Sequence, residues 1–266
     1  MPDGGKEIKM KIVILCGGMG MRLREETELK PKPMIEIGGT PILWHIMKTY
    51  AQYGYNDFIL CLGYKGEVIK EYFYHYEIFS NDFTIELGTK NMVIHPRHSE
   101  KGWKVTLADT GLRTMTGGRV KLIEKYIDGD VFMLTYGDGV IDMDINKLLD
   151  FHRSHGRIAT VTGVAPQSRY GELRIDGDQV VSFKEKPSDG GQTISGGYLV
   201  FNREVFSYLP NNDQCVLEKD VLQKLADDQQ LRVFRHEGFW QCMDTYRDYV
   251  YLQDLWEKGN APWKKW

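Results

Sequence analysis

The chain has 266 residues, 42% of them hydrophobic and 27% charged, with a formal net charge of −3. That length can bury a large core as one α/β domain or two small ones, and the charge balance excludes a general attraction to nucleic acid or to a membrane surface. No apolar run nears the roughly 20 residues of a membrane span. The stretch "MPDGGKEIKMK" lacks the apolar segment of a signal peptide, and Cys16, Cys61, Cys215 and Cys242 fit neither a CxxC nor a zinc spacing, so a reduced, cytoplasmic protein is expected.

Residues 1–9 read as a flexible tail ahead of a body spanning 10–266. "KIVILC" (Lys11–Cys16) is a continuous β-branched run of the kind found in a central parallel strand, and "DFILCLG" (Asp57–Gly63) is another. Cys16 and Cys61 lie in these runs as buried thiols. Between them, Thr40 and Pro41 are placed to cap and open a helix carrying Ile42, Leu43, Ile46, Met47 and Tyr50, which Gly54 ends. Val68, Ile69, Tyr72, Phe73 and Tyr76 mark a second helix. The stretches "FTIEL", "MVIHP" and "WKVTLAD" predict a β excursion from the sheet, and "GGRVKLIEKYI" (Gly117–Ile127) predicts a return to helix.

"DVFMLTYGDGV" (Asp130–Val140) is a buried strand ending in Gly-Asp-Gly. A helix with Ile145, Leu148 and Leu149 follows, then the strand "IATVTGV", β-rich sequence from Tyr170 to Asn202, and a last helix with Tyr249, Leu252 and Trp256. The alternation predicts βαβ units and a mostly parallel mixed sheet flanked by helices. The tail "WEKGNAPWKKW" holds three tryptophans, which predicts docking onto the body or onto a neighbouring subunit.

Ligands of open α/β sheets bind beyond the carboxyl ends of the strands, which draws attention to the loop after the first one. In "CGGMGMRL", Gly18 and Gly20 are followed by Leu23, so the third glycine of a dinucleotide fingerprint is missing, which disfavours a nicotinamide-dependent oxidoreductase. No P-loop string exists. The pattern is either a plain strand-to-helix turn or a glycine nest that wraps an anion, with Arg22 beside it. Lys30 and Lys32 alternate with Pro31 and Pro33, and Pro33 should hold Lys32 extended. On local evidence Asp138 serves a turn or a metal, and Asp244, before Thr245, serves a helix cap or a metal.

"LCGGMGMRL" followed by "KPKPMIEIGGTPIL" resembles the opening of the sugar-nucleotidyltransferases, also called nucleoside-diphosphate-sugar pyrophosphorylases. Cys16 and Met21 stand where that family usually has alanine and threonine. The resemblance continues through "TYGDGV", "FKEKP" (Phe183–Pro187), "ISGGYLVFN" (with Ser195 where asparagine is common) and "GFWQCMDTYRD", in the family's order and from Lys9 to Trp266. It implies a Rossmann-like nucleotidyltransferase domain. It also implies a nucleotide site built from Leu15, Cys16, Gly17, Gly18, Met19, Gly20, Met21, Arg22, Lys32, Thr114, Gly117, Gly118 and Gly137. Lys32 and Arg22 would be the catalytic pair. The sugar would lie among Gly171, Glu185, Lys186 and Tyr198, and Asp138 and Asp244 would bind Mg²⁺. Thr114, Gly117 and Gly118 are expected just ahead of a helix, whose start would bind base or phosphate or simply be N-capped.

Within the family, "GGTPILWHIMK", "DTGLRTMTGGR" and "WEKGNAPWKKW" look most like the members that use CTP and glucose 1-phosphate. That implies CDP-glucose and pyrophosphate as products and a route to dideoxysugars of surface polysaccharide. No local motif spells the base readout, so UTP, dTTP or another sugar phosphate stay open, as does a regulatory homologue without catalysis. A homo-oligomer is expected.

Overall fold

The aliphatic runs become neighbours in one twisted sheet. The computed structural model describes residues 10–20, 29–97, 99–100, 102–165, 172–184 and 193–266. Its main sheet has seven strands: β1 (Lys11–Leu15), β2 (Asp57–Leu62), β3 (Lys104–Asp109), β4 (Val131–Tyr136), β5 (Ala159–Val164), β6 (Ile194–Asn202) and β7 (Leu231–His236). Their order across the sheet is β7-β5-β6-β4-β1-β2-β3. Every neighbouring pair is parallel except those made by β6, which runs antiparallel to both β4 and β5. The expected mixed, mostly parallel sheet is therefore present.

Helices α1 (Ile42–Ala51), α2 (Gly66–Tyr74), α3 (Thr116–Leu122), α4 (Ile145–His155) and α5 (Tyr246–Glu257) flank it. The period of two in β1 divides the core. Ile12 and Ile14 pack with Ile46, Tyr50, Leu148 and Leu252 on one face. Val13 and Leu15 pack with Val120, Phe132 and Val221 on the other. Cys16 and Cys61 are buried free thiols, as expected.

Several local expectations need correction. Thr40 does not cap α1: Thr40–Pro41 pairs with Glu36–Ile37 in a two-residue ladder, and the Thr40 hydroxyl bonds Ile37 O and His45 instead. Tyr76 is not on α2, which ends at Tyr74; it opens a separate short helix, Tyr76–Ser80. Of the predicted β excursion, only Asp82–Ile85 and Met92–His95 form a hairpin apart from the sheet. "WKVTLAD" instead supplies β3, the sheet edge beside β2. Helix α3 stops at Leu122, and a 3₁₀ turn, Glu124–Tyr126, follows.

The tryptophan tail docks onto the body. Trp263 is fully buried, stacks on Phe239 and Trp256, and donates its indole N–H to His45 Nδ1 at 3.4 Å. The ring of Trp266 meets Trp44 edge-on. The predicted flexible tail, residues 1–9, lies outside the described residues.

Candidate active site

The strand order reverses direction at β1 and β4: β1 leads to β2 and β3 on one side, and β4 borders β6, β5 and β7 on the other. The carboxyl ends of this pair form the crevice where such sheets bind ligands. A cavity of about 410 Å³ lies there. Its floor is Leu15, the last residue of β1, and the Cys16, Gly17, Gly18, Met19 and Gly20 that follow it, with Tyr136, the last residue of β4, and the Gly137 and Asp138 that follow it. Lys32 and Pro33 close one side, Thr114, Met115, Thr116 and Arg119 another, and Asp244 a third. Gly137 N–H donates to Leu15 O at 3.0 Å, tying the two strand ends together.

Asp138 and Asp244 are 106 residues apart in sequence, and a short ladder unites them. Gly139–Ile141 pairs antiparallel with Trp240–Cys242, placing Cys242 opposite Gly139, and Met243 N–H donates to Asp138 O at 2.8 Å. Asp244 does not cap α5. Thr245 does, through a capping box with Asp248, which leaves the Asp244 carboxylate to face the cavity.

Lys32 Nζ lies 2.6 Å from Asp138 Oδ2 and 2.7 Å from Asp244 Oδ1. Burial pulls this ammonium down, but the charge of Asp138 and the two carboxylate hydrogen bonds outweigh it and push the Lys32 pKa up to about 12. Lys32 is not extended, contrary to the effect expected of Pro33. It opens a 3₁₀ turn, Lys32–Met34, closed by Met34 N–H to Pro31 O at 2.8 Å. Pro31 is the extended residue, with φ −69° and ψ 152°. The two ring constraints still fix the backbone from which the lysine reaches out.

The glycine loop is braced from below by Arg119, a side chain that sequence reasoning did not single out. It is 5% exposed. Its Nη1 donates to Leu62 O, Thr110 Oγ1 and Gly111 O at 2.7–2.9 Å, and its Nη2 donates to Gly17 O at 3.1 Å. A Cβ on Gly17 would stand 2.2 Å from Arg119 Cζ, so glycine is required there for close approach. A Cβ on Gly18 would meet nothing within 4 Å, so that backbone faces open space. Tyr136 was also missed. Its hydroxyl donates to Glu218, which accepts from Thr116 as well, on a π-helical turn (Leu217–Leu222). No periodicity signals such a turn.

The structure gathers Leu15, Cys16, Gly17, Gly18, Met19, Gly20, Lys32, Thr114, Gly137, Asp138 and Asp244 at one crevice. Gly117 and Gly118 are not on its wall. They sit inside α3 rather than ahead of it, where Cβ atoms would strike Cys215 Sγ at 2.5 Å and Thr114 Cγ2 at 2.8 Å; close helix packing accounts for both glycines. Tyr198 is buried beneath the site, donating its hydroxyl to Gly139 O at 2.8 Å. Met21, Arg22, Gly171, Glu185 and Lys186 lie outside the described residues.

The two carboxylates converge on one cationic centre, and among the described residues they form a possible metal-ligand group with Cys242. Oxygen donors converging in this way suit a hard divalent cation such as Mg²⁺.

A family model described as nucleotidyl transferase matches residues 11–258. The chain is 52% identical over 258 residues to a glucose-1-phosphate cytidylyltransferase of Salmonella typhi, covering 97% of this chain and 100% of the relative. It is 44% identical over 257 residues to a probable glucose-1-phosphate cytidylyltransferase of Bacillus subtilis, again covering 97% and 100%. Among solved structures, HddC from Yersinia pseudotuberculosis superposes with a TM-score of 0.65 at 25% identity, covering 93% of this chain and 99% of that one. With a family model matched over residues 11–258 and a relative 52% identical over its whole length, the chain belongs to the nucleotidyl transferase family.

Proposed function

We propose that this protein joins CTP and α-D-glucose 1-phosphate to give CDP-glucose and pyrophosphate. The observation that carries the reading is Lys32, held by Asp138 and Asp244 at the mouth of a glycine-floored crevice. Similarity to the cytidylyltransferases of Salmonella typhi and Bacillus subtilis supports CTP and glucose 1-phosphate as the substrates.

In this reaction an oxygen of the sugar phosphate attacks the α-phosphorus of CTP. A new P–O bond forms, the bridging bond to the β-phosphate breaks, and pyrophosphate leaves with the electron pair. Two polyanions must be aligned and the developing charge on the α-phosphate neutralised, so no covalent protein nucleophile is needed. The Gly18 backbone can approach the phosphates because no side chain intervenes. Lys32 donates hydrogen bonds to the α-phosphate oxygens, and Arg22 forks the outer phosphates. Thr114, Met115 and Thr116 flank the nucleotide, while by the family resemblance Glu185 would accept from the sugar hydroxyls and Lys186 would pair with the phosphate of the sugar. Asp138 and Asp244 would hold Mg²⁺, which supplies charge neutralisation at the phosphate oxygens when bound.

A reduced, cytoplasmic setting fits the buried free thiols of Cys16, Cys61 and Cys215. Among the described residues no helix is long and apolar enough to cross a membrane. We infer a homo-oligomer supplying dideoxysugar synthesis for surface polysaccharide.

The test supplies purified protein with glucose 1-phosphate, Mg²⁺ and CTP, UTP, dTTP, ATP or GTP in turn and follows pyrophosphate release. Release with CTP, with CDP-glucose as co-product, is the expected result. Preference for another nucleotide would overturn the substrate assignment, and silence with all five would overturn the reaction.

A further inference from the structure

Two hydroxyls on the crevice wall share one carboxylate. Tyr136 and Thr116 both line the cavity. The Tyr136 hydroxyl donates to Glu218 Oε1, and the Thr116 hydroxyl donates to Glu218 Oε2 at 2.8 Å. An ionised carboxylate only accepts, so each hydroxyl must turn its single proton to Glu218. Burial, then the charge of Glu218, raises the Tyr136 pKa, which keeps that proton on the phenol. Thr116 Oγ1 also accepts from Leu217 N–H at 2.9 Å. Both oxygens therefore have lone pairs, and no proton, left for a ligand.

The backbone around them is turned away in the same sense. Met115 N–H donates to Asp213 O at 2.7 Å, and Gly117 and Gly118 N–H donate to Cys215 O at 2.9 and 3.1 Å. These N–H groups at the start of α3 would otherwise suit a carbonyl oxygen. The guanidinium of Arg119 is engaged by Leu62 O, Thr110, Gly111 O and Gly17 O. Glu218 itself rides on the π-helical turn Leu217–Leu222, a geometry that recurs at functional sites.

We propose that Glu218 is a positioning residue for base selection: by fixing Tyr136 and Thr116 as acceptors, it favours a pyrimidine with an exocyclic amine, cytosine, over one with a carbonyl in that place, uracil. The inference rests on the proposed reading of this crevice as a nucleoside triphosphate site. The glycine floor and the Lys32–Asp138–Asp244 group take the phosphates, which leaves this wall to the base. A cytosine N4 amine donates to the waiting lone pairs. A uracil O4 sets lone pair against lone pair and leaves buried acceptors unpaired.

The experiment measures kcat/KM for CTP and for UTP by pyrophosphate release, with glucose 1-phosphate and Mg²⁺, in wild type, Glu218→Gln, Tyr136→Phe, Thr116→Val and Thr116→Ser. Wild type should favour CTP by about a hundredfold or more. Glu218→Gln should cut that ratio by about tenfold or more, with the UTP value rising in absolute terms. The new amide can donate to one hydroxyl, which frees that hydroxyl's proton for O4. A merely structural loss would lower both nucleotides together. Tyr136→Phe and Thr116→Val should each narrow the ratio, and Thr116→Ser, which keeps the hydroxyl, should restore it. Circular dichroism checks that each variant is folded. A ratio that stays within about twofold of wild type in Glu218→Gln and Tyr136→Phe, or equal losses with both nucleotides, would overturn the inference. Calorimetric titration of the same proteins with CTP and UTP reads the selectivity without turnover. Failure of the proposed reaction would show in pyrophosphate release alone, and failure of the base selection in both measurements.

Discussion

His45 ties the carboxyl-terminal tail to the body through a single tautomer, and this makes stability depend on pH in a calculable way. The ring is fully buried. Its Nε2–H donates to Ile37 O at 2.9 Å, while Nδ1 accepts the indole N–H of Trp263 at 3.4 Å. The neutral ring is thus satisfied on both sides. A proton on Nδ1 would set two donors against each other. Burial is the main cause that lowers the pKa from 6.5 to about 4, with the hydrogen bonds to Ile37 and Thr40 opposing it and the Lys264 charge adding to it.

The folded state therefore holds fewer protons than the unfolded chain between pH 4 and 6.5, so stability rises with pH in that window. The contribution is complete above about pH 6.5 and is lost as pH falls towards 4. At about 1.4 kcal/mol per tenfold change in proton affinity, the loss amounts to roughly 3 kcal/mol. Urea unfolding followed by tryptophan fluorescence, at several pH values in wild type and His45→Gln, isolates this residue from the other titrating groups. Wild type should lose roughly 3 kcal/mol more than the variant on going from pH 7 to pH 4. Equal losses in the two proteins, or a larger loss in the variant, would refute the reasoning.

Other consequences follow from the same packing. Gly17→Ala should destabilise by about 2–3 kcal/mol, because the new methyl drives Arg119 from charge-assisted hydrogen bonds; the same change in an Arg119→Ala background should cost under about 1 kcal/mol, as a double-mutant cycle in urea would measure. Trp263→Ala should cost about 3–5 kcal/mol in unfolding free energy, since it empties a fully buried indole site. Asp138→Asn and Asp244→Asn should each lower turnover by about a hundredfold or more and raise the Mg²⁺ concentration needed for half-maximal rate, as metal titrations of pyrophosphate release would show.

The sheet was largely legible because its central strands are buried on both faces and read as unbroken aliphatic runs. β1, β2 and β4 fall where "KIVILC", "DFILCLG" and "DVFMLTYGDGV" placed them. β3 was assigned to an excursion because an edge strand, half exposed, lacks that signal. Thr40 looked like a cap because its type and spacing were right, and a ladder with Ile37 outcompeted the helix for its hydroxyl. The catalytic candidates were visible through their types and order, but their convergence was not. Nothing local pairs Asp138 with Asp244; the Gly139–Cys242 ladder does. The same ladder brings in Cys242, and the sequence signals Arg119 no better, since a buried arginine is recognised only by the carbonyls it satisfies.

Everything proposed for the reaction converges on one ammonium. The most direct measurement is single-turnover formation of CDP-glucose by wild type and Lys32→Ala, with circular dichroism and thermal unfolding to check the fold. The rate should fall by about 10²–10³ while the variant remains folded. Near-normal turnover in a folded Lys32→Ala protein would contradict the account and move the stabilisation of the α-phosphate to another group.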